Sequence, residues 1–232
     1  MWIFLSRFVS GTLVLATLSG CATMPSYQSA ETLRPGDTEW GAQWSIGSLI
    51  RPKAFNSDTV IPTVSCVQTA LRTGISSRID AGADLGLLNA QGRIRYELAH
   101  SSASAASLGL TGGWRHEGFG LSSLGGDFVS TANLGLILYR SHRWNDHSEV
   151  TWAPGINFGW FEDPRNLPDG RLRDGLEFSL TTGIRKYHEA PSRWSTAFQT
   201  AIIIVHQRPY RVSVQIGIGE IWRRRPVTLP PR

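Results

Sequence analysis

Apolar and polar residues alternate along most of the chain. Within residues 78–88, Ile79, Ala81, Ala83, Leu85 and Leu87 share one parity, and Asp80, Gly82, Asp84 and Gly86 share the other. A period of two predicts a strand with one apolar face, because successive side chains point to opposite sides of a sheet. Residues 92–98 repeat the pattern, with Ile94, Tyr96 and Leu98 set against Arg93, Arg95 and Glu97. Asn89–Gly92 lies between the two and holds residues suited to a tight turn, which predicts a hairpin. The beat recurs at 106–116 (Leu108, Leu110, Trp114), 127–140 (Phe128, Leu134, Leu136, Leu138) and 149–161 (Val150, Trp152, Ile156, Phe158, Trp160). It continues through 175–187, 194–206 and 210–222, and less cleanly through 39–48 and 62–75. The expectation is an all-β chain of about ten strands, with eight or twelve as alternatives, and no helix after residue 20.

Two architectures accommodate so many alternating strands. A soluble sandwich or barrel points its apolar face inwards, whereas a membrane barrel points it at lipid and keeps a polar interior. Three features favour the membrane barrel. Aromatic residues sit near strand ends on the apolar parity: Trp152 and Trp160 bracket one strand, Tyr210 and Trp222 another, and Trp40, Trp114 and Trp194 also lie near ends. Such residues form girdles at the two faces of a bilayer. The other parity is rich in glycine rather than in the lysine and glutamate of a water-facing sheet. The connections alternate in length, with 49–61 and 161–174 long and Ser76–Arg78 short, as in membrane barrels. That third feature is partial, since 89–92 and 206–209 are short where long loops are expected. The predicted fold is a single antiparallel transmembrane β-barrel over residues 39–222.

The inward parity of this barrel gathers Arg72, Asp80, Asp84, Arg93, Arg95, Glu97, Glu177, Arg185 and Arg211. Small barrels have interiors that side chains nearly fill, and buried charges demand partners. These residues are therefore expected to form a charge network that plugs the lumen, with a narrow small-solute channel as the alternative. Whether Asp84 faces Arg93 or Arg95 stays open, because alternation does not fix register.

The amino terminus follows a different pattern. Arg7 precedes an apolar run from Phe8 to Leu18, too short for a membrane-spanning helix of about 20 residues. It fits a secretory signal over residues 1–20. The cut site Leu18-Ser19-Gly20-Cys21 resembles the lipobox of bacterial lipoproteins. That resemblance implies acylation of Cys21, which becomes the first residue of the mature chain. Ala22, where inner-membrane lipoproteins of enterobacteria favour Asp, implies sorting to the outer membrane. Residues 21–38, with Pro25, Pro35 and Gly36, are then a lipidated linker, and residues 223–232 (RRRPVTLPPR) a basic, proline-rich periplasmic tail.

A second resemblance concerns Arg72, Gly74, Ile75, Ser76, Arg78, Asp80 and Gly82. They resemble a strand-turn-strand pattern that spans a periplasmic turn in small bacterial outer-membrane barrels. Gln215, Gly217 and Trp222 are similar to the closing assembly signal of such barrels, from which Glu220 and the tail after Trp222 depart. Together these resemblances imply a lipoprotein carrying a small barrel in the outer membrane of a Gram-negative bacterium, anchored through Cys21 on the periplasmic side. The partners implied are outer-membrane lipids, lipopolysaccharide among them, and the barrel-assembly and lipoprotein-sorting machineries.

Charge and cysteine content narrow the function. Without Arg7 the mature chain carries a net charge of +4, and its one basic run is Arg223-Arg224-Arg225, a poor match to nucleic-acid binding. Cys66 is the only cysteine besides Cys21, so no internal disulfide is expected, and no metal-ligand spacing or cofactor motif is present. An acyl hydrolase on the lipid-facing wall needs a nucleophile and a base within hydrogen-bond reach. His116, His206 and Ser130 fall on the apolar parity near strand ends. His100-Ser101 and His147-Ser148 are adjacent pairs that would point to opposite faces of a strand. The favoured expectation is a non-enzymatic barrel. A tethered soluble lipid-binding barrel and an outer-membrane acyl hydrolase are the alternatives.

Overall fold

Ten antiparallel strands, each paired with its neighbours in sequence, close into a barrel. They are β1 (Thr38–Arg51), β2 (Thr59–Gly74), β3 (Ile79–Gly86), β4 (Asn89–His100), β5 (Ser104–Phe119), β6 (Asp127–Asn145), β7 (Ser148–Glu162), β8 (Arg173–Tyr187), β9 (Trp194–His206) and β10 (Arg211–Arg224). The computed structural model describes residues 28–51, 59–86, 89–119, 127–162, 173–188, 194–206 and 211–224. Closure comes from β1 pairing with β10, from Thr38↔Arg224 to Ile50↔Val212. Followed from Thr38 through Thr73, Leu110 and Phe178, the register returns to β1 at Ile50, twelve residues further along. A stagger of this kind tilts the strands across the barrel axis. An even strand number brings Thr38 and Arg224 to one end, here the terminal rim; the opposite end is the far rim.

The wall is inverted relative to a soluble barrel. Leu85, Ile94, Leu110, Leu134, Leu136, Phe178, Ile202 and Val214 point outwards and are 38–55% exposed. Asp80, Asp84, Arg93, Arg95, Thr111 and Gln199, on the other parity, are buried inside. Soluble monomers rarely expose apolar patches beyond a few hundred Å², and here all ten strands expose large apolar side chains on their outward face. The apolar parity therefore faces outwards, which overturns the soluble alternative. Pro154 marks one local fault: the β6–β7 pairing is interrupted between Ile137↔Gly155 and Arg140↔Trp152. A proline has no N–H to give the ladder.

Three boundaries differ from expectation. Asn89–Gly92 is no turn but the opening of β4, paired so that Gly86 meets Asn89. Asn89 and Gln91 face a polar lumen, where the Asn89 side chain donates to Gln68 Oε1 at 3.3 Å, while Ala90 and Gly92 lie on the outward face. The connection expected over 49–61 is shorter, because β1 runs to Arg51 and β2 starts at Thr59. Arg223 and Arg224, assigned to the tail, complete β10. Cys21, Leu87, Tyr210 and residues 225–232 lie outside the described residues.

Candidate functional site

The charged residues concentrate near the terminal rim. In the β3–β4 hairpin Asp80 is directly opposite Arg95. Arg95 grips it at two points, Nε to Oδ1 at 3.0 Å and Nη2 to Oδ2 at 2.7 Å, the two-pronged geometry that gives such pairs strength. Arg72 of β2 approaches the same carboxylate at 3.4 Å and Glu39 of β1 at 3.5 Å. Arg185 of β8 donates to Glu39 at 3.0 Å and to Ser195 Oγ at 2.7 Å. Deeper in the lumen Arg93 pairs with Asp84. Register explains that choice: Asp80, not Asp84, lies opposite Arg95, so Arg93 leans diagonally to Asp84. Space is made by a glycine. A Cβ on Gly109 would sit 2.9 Å from the Tyr139 ring and 3.3 Å from Arg95 Cγ, and the Arg95 guanidinium lies 5.1 Å from the centre of that ring.

Residues 28–37, the end of the expected linker, occupy the space these side chains enclose. Ala30 is fully buried against Ala105, Ile137, Tyr139 and Ala153 of β5, β6 and β7. Arg95 donates to the Ser29 and Glu31 carbonyls, and Arg72 to the Glu31 carbonyl at 2.7 Å. The Thr32 N–H donates to Glu97 at 3.1 Å, and the Leu33 N–H to Asp80 at 3.1 Å. Ser29 Oγ donates to Glu149, which also accepts from the Tyr187 hydroxyl at 2.6 Å. At the rim, Arg143 holds Glu31 at 2.7 Å and Arg223 holds Asp37 at 2.8 Å. The segment leaves across Gly74: Gly36 N–H donates to the Gly74 carbonyl, and a Cβ on Gly74 would lie 2.0 Å from the Arg34 oxygen. Gly36 itself has φ of 80°, a conformation open to glycine. The remaining cavity beside Gln28, Glu39, Gln43 and Arg72 is about 20 Å³, room for about one water.

Of the expected network, Arg72, Asp80, Asp84, Arg93, Arg95 and Arg185 are buried with opposite charges beside them. Glu97 serves Thr32. Glu177 stands apart, towards the far rim, where Asn157 donates to it at 2.8 Å. Buried amides gather in this half of the lumen: Gln68, Asn89, Asn133, Asn157, Gln199 and Gln215. Asn133 is 5% exposed, and neither of its amide atoms has a partner among the described residues. Sequence reasoning missed Glu39 and Glu149, although both share the inward parity of their strands.

The expected aromatic girdle divides between the two rims. Trp40, Trp222 and Trp194 are successive register partners at the terminal rim, the first two stacked 4.3 Å apart. Trp152 lies near the same end, under the Arg140 guanidinium at 5.5 Å. Trp114 and Trp160 lie towards the far rim, and Trp40, Trp114, Trp152, Trp160 and Trp194 are all 37–50% exposed.

No family model matches the chain, and no curated protein matches it. Solved structures do. An outer membrane channel from Pseudomonas putida F1 is similar over 87% of this chain and 100% of its own, at 11% identity and a TM-score of 0.52. The chain has the fold of an outer-membrane β-barrel. The outer membrane protease OmpT of Escherichia coli covers 84% of this chain and 100% of its own, at 11% identity and a TM-score of 0.49. Ail, the attachment invasion locus protein of Yersinia pestis, covers 82% and 99%, at 7% identity and a TM-score of 0.36. A shared fold does not carry an activity, so activity has to be argued from the barrel's own residues.

The residues weighed for hydrolysis are partly brought together. His116 of β5 and Ser130 of β6 are register partners, and Ser130 is also opposite Glu162 of β7. His206 is paired with Leu176 on the β8–β9 side. His100 ends β4, His147 lies in a turn and Ser148 opens β7. Among the described residues no group of His, Cys, Asp and Glu is placed to hold a metal ion.

Proposed function

We propose that the protein is a lipid-anchored integral barrel of the Gram-negative outer membrane, non-enzymatic, with a lumen closed by its own buried charges. The observation that carries this reading is the terminal half of the lumen, where Arg72, Arg95 and Arg185 meet Asp80 and Glu39. Arginines that fill the volume and neutralise opposed carboxylates leave little continuous water. The signal over 1–20, acylated Cys21 and a periplasmic terminal rim complete the proposal. Lipopolysaccharide and other outer-membrane lipids would cover the wall, and the lipoprotein-sorting and barrel-assembly machineries would deliver it. Two measurements test it. The native barrel, refolded in planar bilayers, should carry no steady current; sustained ion-selective current would replace closure by a channel. Cys21→Ser should lose incorporation of labelled fatty acid, and persistent label would end the lipoprotein reading.

One observation supports a second reading, acyl hydrolysis at the outer wall. His116, Ser130 and Glu162 are neighbours across three strands, on the parity of the outward residues. A serine beside a histidine is the minimum for a nucleophile and its base. Fatty-acid release from lipopolysaccharide in detergent, lost in Ser130→Ala, would establish it; no release by the native barrel would dismiss it.

A further inference from the structure

The contacts between the wall and residues 28–37 fall into two sets. In one, the wall satisfies itself: the Arg95–Asp80, Arg72–Glu39 and Arg185–Glu39 pairs run from strand to strand and need nothing from the segment. In the other, the same side chains spend their remaining hydrogen-bonding capacity on the segment's main chain. Arg95 and Arg72 donate to the carbonyls of Ser29 and Glu31, and Glu97 and Asp80 accept from the N–H groups of Thr32 and Leu33. A guanidinium has five donors and a carboxylate about four acceptor positions, so both roles fit at once.

Four side chains from β2, β3 and β4 therefore address peptide groups. Every residue except proline offers peptide groups of this kind. The segment's own side chains add contacts around these: Ser29 with Glu149, Thr32 with Glu97, Glu31 with Arg143, Asp37 with Arg223 at the rim, and Ala30 in a niche beside Ala105, Ile137, Tyr139 and Ala153.

We infer that the terminal half of the lumen is a binding site for a short, irregular peptide, read mainly through its backbone, and that residues 28–37 are its resident and displaceable occupant. The inference rests on the closed-lumen reading above and assigns the closure to the segment rather than to the wall charges alone. Without the segment, Arg72, Asp80, Arg95, Glu97 and Glu149 would line an open, hydrated mouth leading to the amides beyond.

The test uses the mature full chain in planar bilayers. Residues 28–34 are replaced by a Gly/Pro stretch of equal length with prolines at 32 and 33, which removes the two N–H donors and the Ala30 anchor and keeps the tether length and the Pro35–Gly74 bridge. Folding is checked by the mobility shift on heating in a denaturing gel. The native protein should be silent and the folded replacement should show steady conductance steps. A synthetic peptide of residues 28–37, added on both sides, should abolish those steps. The same peptide N-methylated at Thr32 and Leu33, and so stripped of two donors, should leave them. Ala30→Trp, too large for its niche, should open the barrel partially with every wall residue intact. A folded replacement as silent as the native protein overturns the inference and leaves closure to the wall. Steps that the plain peptide does not reduce, or that both peptides abolish equally, overturn the backbone-reading site. Steady current from the native chain removes the closed-lumen reading itself, and this inference with it.

Discussion

The two halves of the lumen solve the same problem differently. Both must line a narrow polar interior within an apolar wall. The terminal half uses full charges, each arginine set against a carboxylate, and adds a stretch of main chain that takes up the remaining hydrogen bonds. Among the described residues the far half is rich in buried amides, and its carboxylate Glu177 accepts from Asn157. Charges bind more strongly and tolerate less: an arginine deprived of its carboxylate becomes an isolated buried ion. An amide deprived of a partner is a smaller penalty.

That contrast orders the expected effects of substitution. Asp80→Ala should be the costliest, about 3–5 kcal/mol by the usual penalty for breaking a buried pair, because Asp80 serves Arg95, Arg72 and the Leu33 N–H together. Unfolding in detergent and urea would measure it, and adding Arg95→Ala should restore part of the loss; no recovery would mean that Arg95 and Asp80 are not an energetic pair. Leu136→Arg asks what a charge costs with no partner at all. On the outer wall it should lose about 2–4 kcal/mol and more than Leu136→Ala in the same assay; equal losses would count against lipid contact there.

Gly74→Ala probes the seam between the halves of the argument, the place where segment meets wall. Its Cβ would collide with the main chain of Leu33 and Arg34. Overpacking costs about 1–3 kcal/mol, and the segment should become accessible to protease while β2 to β10 stay protected. Uniform protection would show that the segment adapts in place. The smallest effect belongs to the far half. Asn133→Leu should change stability by less than about 1 kcal/mol, or raise it, since replacing a buried polar group whose atoms lack partners forfeits little. A loss comparable to that of Asp80→Ala would erase the distinction between the halves.

Alternation made the strands legible, and the aromatic strand ends and glycine-rich opposite parity turned the apolar face outwards. Leu134, Leu136 and Leu138 or Val214, Ile216 and Ile218 declare one apolar side, and a barrel of such strands has one way to place it against lipid. Partnership was not legible in the same way. Asp80, Asp84, Arg93 and Arg95 all share a parity, and only the register Asp80↔Arg95 decides who meets whom. The turn residues misled at Asn89–Gly92, because a polar lumen welcomes asparagine and glutamine, here Asn89 and Gln91, as readily as a turn does. The segment over 28–37 escaped for a plainer reason: it has no period, and its partners are spread over β2 to β7. Its Pro35 and Gly36, read as marks of a loose linker, instead fit it to the passage over Gly74.

The seat of that segment constrains the order in which the molecule can be built. Residues 28–37 emerge before any strand, yet Ser29 finds Glu149 across 120 residues of chain and Asp37 finds Arg223 across 186. Contacts so distant in sequence form late, after the intervening loop has closed. A segment made before every strand is thus among the last to settle, and it must wait at the rim while β1 through β10 assemble. A barrel caught before that point would hold all ten strands and still present an empty mouth, so docking of the amino-terminal segment is a natural last kinetic phase, slower than strand pairing and separable from it.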